Sequence, residues 1–138
     1  MRRILFDANL PHALARGIHQ LTEGRGIGAD CILDIYKTTQ IADTKWIAEI
    51  SRNDIVGVIT QDYFDKTPQE IAAYQNASVP FFYLAKAYNN FDLWKKCSLL
   101  LIKWPVICQQ IEIVKGYAEF EIPADRGQQI KTLRRRKR

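Results

Sequence analysis

Cysteine, methionine, histidine and glycine are all sparse in this 138-residue chain, which holds three Cys, one Met, two His and seven Gly. The cysteines Cys31, Cys97 and Cys108 are odd in number and widely spaced, and no CxxC pair exists. That pattern excludes a disulfide scaffold and a thiolate zinc site. Cys97 and Cys108 fall in apolar helical stretches, where a free thiol packs as a small hydrophobe. His12 and His19 sit seven residues apart on one predicted helix, a weak ligand spacing, and no Ser/His/Asp or Cys/His set accompanies them. His12, near the end of the first strand, is a candidate phosphate contact, and His19 reads as a surface residue.

Three of the seven glycines lie in EGRGIGAD, residues 23–30. They follow a predicted helix instead of a strand, and no Lys-Ser/Thr follows them, so they form a turn and not a phosphate cradle. Long apolar runs are missing too: nothing approaches the roughly 20 residues needed to span a bilayer. The N-terminal MRR and the apolar residues after it imitate a secretory signal, but Asp7, Asn9 and His12 interrupt the stretch of about 7–15 apolar residues such a signal needs. The chain is therefore read as cytoplasmic, with no membrane partner.

Excess charge is confined to one place. The formal charge is +5, and the last eight residues, KTLRRRKR, carry +6, which leaves residues 1–130 at −1. The body is not a generally basic nucleic-acid binder. We divide the chain into one domain over 1–123 and a basic, disordered tail over 124–138, suited either to solubility or to nonspecific attraction to phosphates.

What is present is an alternation of strands and helices. Arg3 to Phe6 predicts a strand, and Pro11 opens a helix with Leu10, Leu14, Ile18 and Leu21 at helical spacing. DCILDIY, 30–36, reads as a second strand. Asp43 precedes a helix that turns Trp46, Ile47 and Ile50 inward. IVGVIT, 55–60, is the continuous apolar run of a strand buried on both faces. Pro68 starts a further helix through Tyr74, and Val79 to Leu84 is a fourth strand. Asn90 caps a long helix using Phe91, Trp94 and Leu101, which Pro105 interrupts and Gly116 ends. YAEFEI, 117–122, alternates as a last, edge strand. This order predicts an α/β fold with a mostly parallel central sheet.

In such sheets ligands bind beyond the carboxyl ends of the strands. Asp7 ends the first strand, and Asp62 and Asp65 follow the buried strand that ends at Thr60. Asp43 starts a helix on the same rim. Each acid has a plain structural role open to it, as an N-cap or in a turn. Gathered together, they would repel one another unless a cation neutralised them, and Mg²⁺ or Mn²⁺ takes oxygen ligands of this kind.

FDANLP, IADTKWIAE and VITQDYF, in that order, resemble the PIN-like nucleases, in particular the short proteins that serve as toxins of VapBC-type toxin–antitoxin pairs. KTPQEIAAYQNASVPFFYL and IKWPVICQQIEIVKGYAEFEI extend the resemblance over nearly all of residues 3–122. It implies a three-layer α/β/α PIN-like fold and a metal-dependent endoribonuclease whose partners are an RNA substrate, a cognate antitoxin and a second copy of the chain. Carried over, Asp7 is the first-strand metal ligand and Asn9 the polar residue two places later. Asp43 opens the second helix, and Asp62 is the acid of the Thr-x-Asp motif with Thr60 as its companion. Asp65, where many of the short relatives have a basic or apolar residue, is added as a fourth metal-site acid from its place after the buried strand. The interval of about twenty residues between Asp43 and Asp62 is shorter than in larger PIN domains, so a catalytically inactive module that binds RNA or a protein is the alternative. A phosphatase with an Asp nucleophile would need an acid where Asn9 stands. Arg16, Lys45, Lys66 and Lys86 are candidate substrate cations, and Tyr63 and Phe64 candidate base-stacking rings.

Overall fold

The computed structural model describes residues 2–50, 54–61 and 67–133. Six strands form one sheet in the order β2-β1-β3-β4-β5-β6. They are β1 (Arg3–Phe6), β2 (Gly28–Cys31), β3 (Ile55–Thr60), β4 (Pro80–Leu84), β5 (Ala118–Ile122) and β6 (Lys131–Thr132). The first five are mutually parallel, and β6 pairs antiparallel with β5. The helices are α1 (His12–Thr22), α2 (Ile32–Tyr36), α3 (Asp43–Ala48), α4 (Pro68–Ala77) and α5 (Leu93–Ile113), with a 3-10 turn over Lys86–Asn90 before α5.

Alternation along the strands sorts the core into two layers. Ile4, Phe6, Ile59, Phe82, Phe120 and Ile122 face α1 and α5, where they meet Leu14, Ile18, Leu100, Trp104 and Ile107. Leu5, Val58, Phe81 and Tyr83 face the other way, onto Ile32 of α2, Trp46 and Ile47 of α3, and Tyr74 of α4. The result is the three-layer α/β/α architecture that the strand–helix alternation predicts. Gly57 matters to it because a Cβ there would lie 3.2 Å from Ile111 Cδ1, so the bare backbone lets α5 seat closely on β3.

Four expectations need correction. The stretch 30–36 is not one strand: β2 ends at Cys31, paired with Phe6, and the chain turns into α2. Ile32, Ile35 and Tyr36 recur at helical spacing and pack into the α3/α4 layer, and Asp34 sits in the first turn, where a carboxylate favours helix. The long helix is capped by Asp92, whose carboxylate accepts from the Lys95 N–H at 2.9 Å, and not by Asn90. It also runs straight through Pro105, which lies on the exposed side, while Leu100, Lys103, Trp104, Ile107 and Ile111 hold both halves against the sheet. Burial there outweighs the lost backbone bond. Finally, β5 is flanked by β6 and does not form the edge.

Residues 124–133, which composition assigns to the tail, are tied to the body. Lys103 is fully buried, and its Nζ donates to Asp125 Oδ1 at 2.8 Å and to the Gly127 carbonyl at 2.6 Å. The Tyr88 hydroxyl donates to the Pro123 carbonyl at 2.8 Å. Burial raises the Tyr88 phenol, and Lys103 holds the Asp125 carboxyl below its usual range.

Candidate functional site

In the order β2-β1-β3-β4-β5 the chain moves to one side of β1 for β2 and to the other for β3, so the topological switch point lies between β1 and β3. The register pairs Phe6 with Ile59, which sets Asp7 level with Thr60 just past that pair. Since Leu5 and Val58 face the α3/α4 layer, the period of two turns Asp7 and Thr60 to the same face.

Asp7 is only 6% exposed, and Thr60 is buried as well. The Thr60 hydroxyl donates to Asp7 Oδ2, while the Asn9 backbone N–H donates to Asp7 Oδ1 at 3.0 Å. The Asp7 N–H donates to the Ile59 carbonyl at 3.1 Å, and its carbonyl accepts from the Leu10 N–H at 3.2 Å. Both carboxylate oxygens are thus oriented by donors. Asn9 contributes through its backbone, a role that the residue type alone does not reveal. Its side chain lies at an exposed position.

Helices α3 and α4 both begin on the rim where β1 and β3 end, because α3 leads into β3 and α4 leaves it. Asp43 is therefore the first residue of α3 at that rim, with Ala42 in the capping position. Beside it, Ala42, Thr44, Thr67, Gln69 and Glu70 line a cleft of 370 Å³ between the two helix starts. Thr67 caps α4 in a reciprocal pair, accepting from the Glu70 N–H at 3.2 Å while the Glu70 carboxylate takes the Thr67 N–H. The structure thus brings Asp7, Asn9 and Thr60 together and opens α3 with Asp43 on the same rim. Asp62 and Asp65, like Tyr63, Phe64 and Lys66, lie outside the described residues.

Among the described residues a different group has ligand atoms within 4.8 Å of one another: Asp30, Cys31 and Asp34, at the end of β2 and in α2. Guanidinium groups already occupy its carboxylates. Arg3 Nη1 lies 2.6 Å from Asp30 Oδ2, and Arg16 grips both oxygens of Asp34 at 2.6 and 3.1 Å. The Arg16 hydrogen bond holds the Asp34 carboxyl down at about 2, and Asp34 in turn raises the guanidinium. Burial pushes the Cys31 thiol up to about 11, so it stays protonated and a poor ligand. This group is an ion-pair cluster in which Arg16–Asp34 ties α1 to α2 and Arg3–Asp30 ties β1 to β2.

That cluster also decides two candidate residues. Arg16, expected to grip substrate, is engaged by Asp34. His19 is no plain surface residue, because its Nδ1 accepts the Ala29 N–H at 3.2 Å and ties α1 to β2. Lys45 and Lys86 are exposed. Sequence reasoning missed Gln61 and Asn89, whose side-chain amides are hydrogen-bonded across the rim, the Gln61 amide donating to Asn89 Oδ1. It also counted Trp94 among the apolar residues of the long helix, and that ring is 80% exposed. At about 3.6 residues per turn Trp94 stands roughly 120–140° from Leu99 and Leu100, which separates it from their face.

No helix among the described residues is long and apolar enough to cross a membrane. A protein-family model described as a PIN like domain matches residues 2–86, which contain β1 through β4 and the whole β1/β3 rim. No curated protein and no solved structure matches the chain.

Proposed function

The chain belongs to the PIN-like domain family, and on that premise we propose that it is a metal-dependent endoribonuclease that hydrolyses RNA phosphodiester bonds. The observation that carries this reading is the buried Asp7 carboxylate, held by Thr60 and the Asn9 N–H at the switch point between β1 and β3.

The donors there suit a hard divalent cation. Asp7, Asn9 and Thr60 offer oxygen atoms, the ligand type that Mg²⁺ and Mn²⁺ take. The cluster of Asp30, Cys31 and Asp34 does not suit one, since a protonated thiol and two guanidinium-bound carboxylates have little to offer a cation. In our reading Asp7, Asp43, Asp62 and Asp65 hold Mg²⁺ or Mn²⁺. When bound, the metal supplies an activated water and offsets charge on the phosphoryl oxygens. The chain's own part is preorganisation. Thr60 and the Asn9 N–H fix the Asp7 oxygens before any ligand arrives, so less ordering is required at the moment of binding.

We further read the protein as the toxin of a type II toxin–antitoxin pair that meets a cognate antitoxin and pairs with a second copy of itself. The similarity of FDANLP, IADTKWIAE and VITQDYF to the short PIN-like toxins supports this. The test is cleavage of single-stranded RNA by wild type, Asp7→Asn and Asp62→Asn, each with Mn²⁺ and with chelator. Only wild type with metal should cut. Equal cleavage in all samples overturns the proposal, and RNA binding without cleavage leaves the inactive-module alternative.

A further inference from the structure

Large apolar side chains are exposed at three described positions: Leu21, Ile113 and, most of all, Trp94 at 80%. Leu21 and Ile113 close α1 and α5, at the amino edge of the sheet. Trp94 is different because α5 follows β4, so its first turn lies at the carboxyl edge, the edge where β1 and β3 end at Asp7 and Thr60.

The 3-10 turn ties that first turn to the candidate site. Its Asn89 is hydrogen-bonded to Gln61, the residue between Thr60 and Asp62. From Asn89 to Trp94 the backbone spans at most about 18 Å even fully extended, a reach of a few nucleotides along a strand. The surroundings are basic. Lys86, Lys95 and Lys96 flank the turn, Lys95 Nζ stands 4.0 Å from the centre of the Phe91 ring, and Asp92 is engaged in capping α5. An exposed indole among lysines matches a ligand with flat apolar faces and regularly spaced negative charge. Single-stranded nucleic acid is such a ligand.

We propose that Trp94 is a base-stacking platform for single-stranded RNA running from the Asp7–Thr60 rim across the start of α5, with Lys86, Lys95 and Lys96 supplying cations for its phosphates. The inference rests on the nuclease reading for what the strand does there, but its test needs no cleavage. A fluorescein-labelled ten-nucleotide single-stranded RNA is titrated in chelator against wild type and Trp94 variants, with anisotropy as the readout. Trp94→Ala should weaken binding about 5- to 100-fold, as loss of one stacked base does, and Trp94→Tyr should stay within about 3-fold of wild type. Trp94→Leu, apolar but without a π-face, should bind as poorly as Ala. The other two tryptophans, Trp46 and Trp104, are buried, so acrylamide quenching reads Trp94 and should fall when RNA binds.

An unchanged affinity for Trp94→Ala, unchanged quenching, or no binding by wild type overturns the platform. Trp94→Leu equal to wild type also overturns it and points to an apolar contact with a protein. Binding through Trp94 without metal-dependent cleavage keeps the platform and removes the nuclease, while cleavage indifferent to Trp94 does the reverse.

Discussion

Thr60 and Asp7 are sequence-distant residues at the ends of adjacent parallel strands, and the threonine hydroxyl donates directly to the buried aspartate carboxylate. The pairing of Phe6 with Ile59 puts them level, and strand alternation turns both to the α3/α4 face. A carboxylate buried this far persists as an anion only when donors surround it.

Thr60→Val keeps the shape of the side chain and deletes that donor. It should lower stability by about 1–3 kcal/mol, the cost of taking one donor away from a buried carboxylate. Urea denaturation checks the stability. RNA cleavage in Mn²⁺ should fall as well, whereas Thr60→Ser should retain most of both.

Metal binding should register in stability. A cation that binds only the folded chain adds about 2.7 kcal/mol at a free concentration one hundred times its dissociation constant. Thermal unfolding of wild type should therefore move upward as Mn²⁺ is added and return in chelator, while Asp7→Asn should stay unmoved. A shift of equal size in both proteins would place the ion elsewhere.

Lys103 is a buried cation whose carboxylate partner, Asp125, is largely exposed. Removing the partner leaves the buried ammonium with the Gly127 carbonyl alone, so Asp125→Ala should lower stability. Lys103→Met removes the charge and keeps much of the volume, and should cost less. Denaturant midpoints for the two variants give the order, and the reverse order would show that packing around the lysine stem outweighs its charge.

Acidification should expose the Arg16–Asp34 pair. The Asp34 carboxyl sits at about 2 in the folded chain, below its usual 3.8. Its contribution is thus fully present above about pH 4 and is lost as pH falls toward 2. Both side chains are more than a third exposed, so the effect should be under about 1 kcal/mol. Wild type should lose more stability than Asp34→Asn between pH 4 and pH 2, as read by denaturation at each pH.

Much of the fold was legible because local chemistry and tertiary demand agreed. IVGVIT reads as a strand buried on both faces and is one, and Trp46, Ile47 and Ile50 face inward as their spacing requires. Where they disagreed, the reading failed for identifiable reasons. In CILDIY the β-branched content suggested a strand, while the spacing of Ile32, Ile35 and Tyr36 already carried a helix. Pro105 suggested a break, but a single missing N–H on the solvent side does not undo a helix buried along its other face. Trp94 is exposed because its spacing from the buried Leu99 and Leu100 turns it to the other side of α5.

By itself, the sequence determined the alternation of elements, the apolar faces and the acids available at Asp7 and Asp43, since these follow from residue type and short-range spacing. Only the tertiary structure decided that β1 and β3 lie side by side, that Thr60 and the backbone of Asn9 hold Asp7, and that Arg16 answers to Asp34. Those are contacts between residues up to 53 positions apart. Chain connectivity allows many such pairings, and the packing of two helical layers on one sheet selects among them.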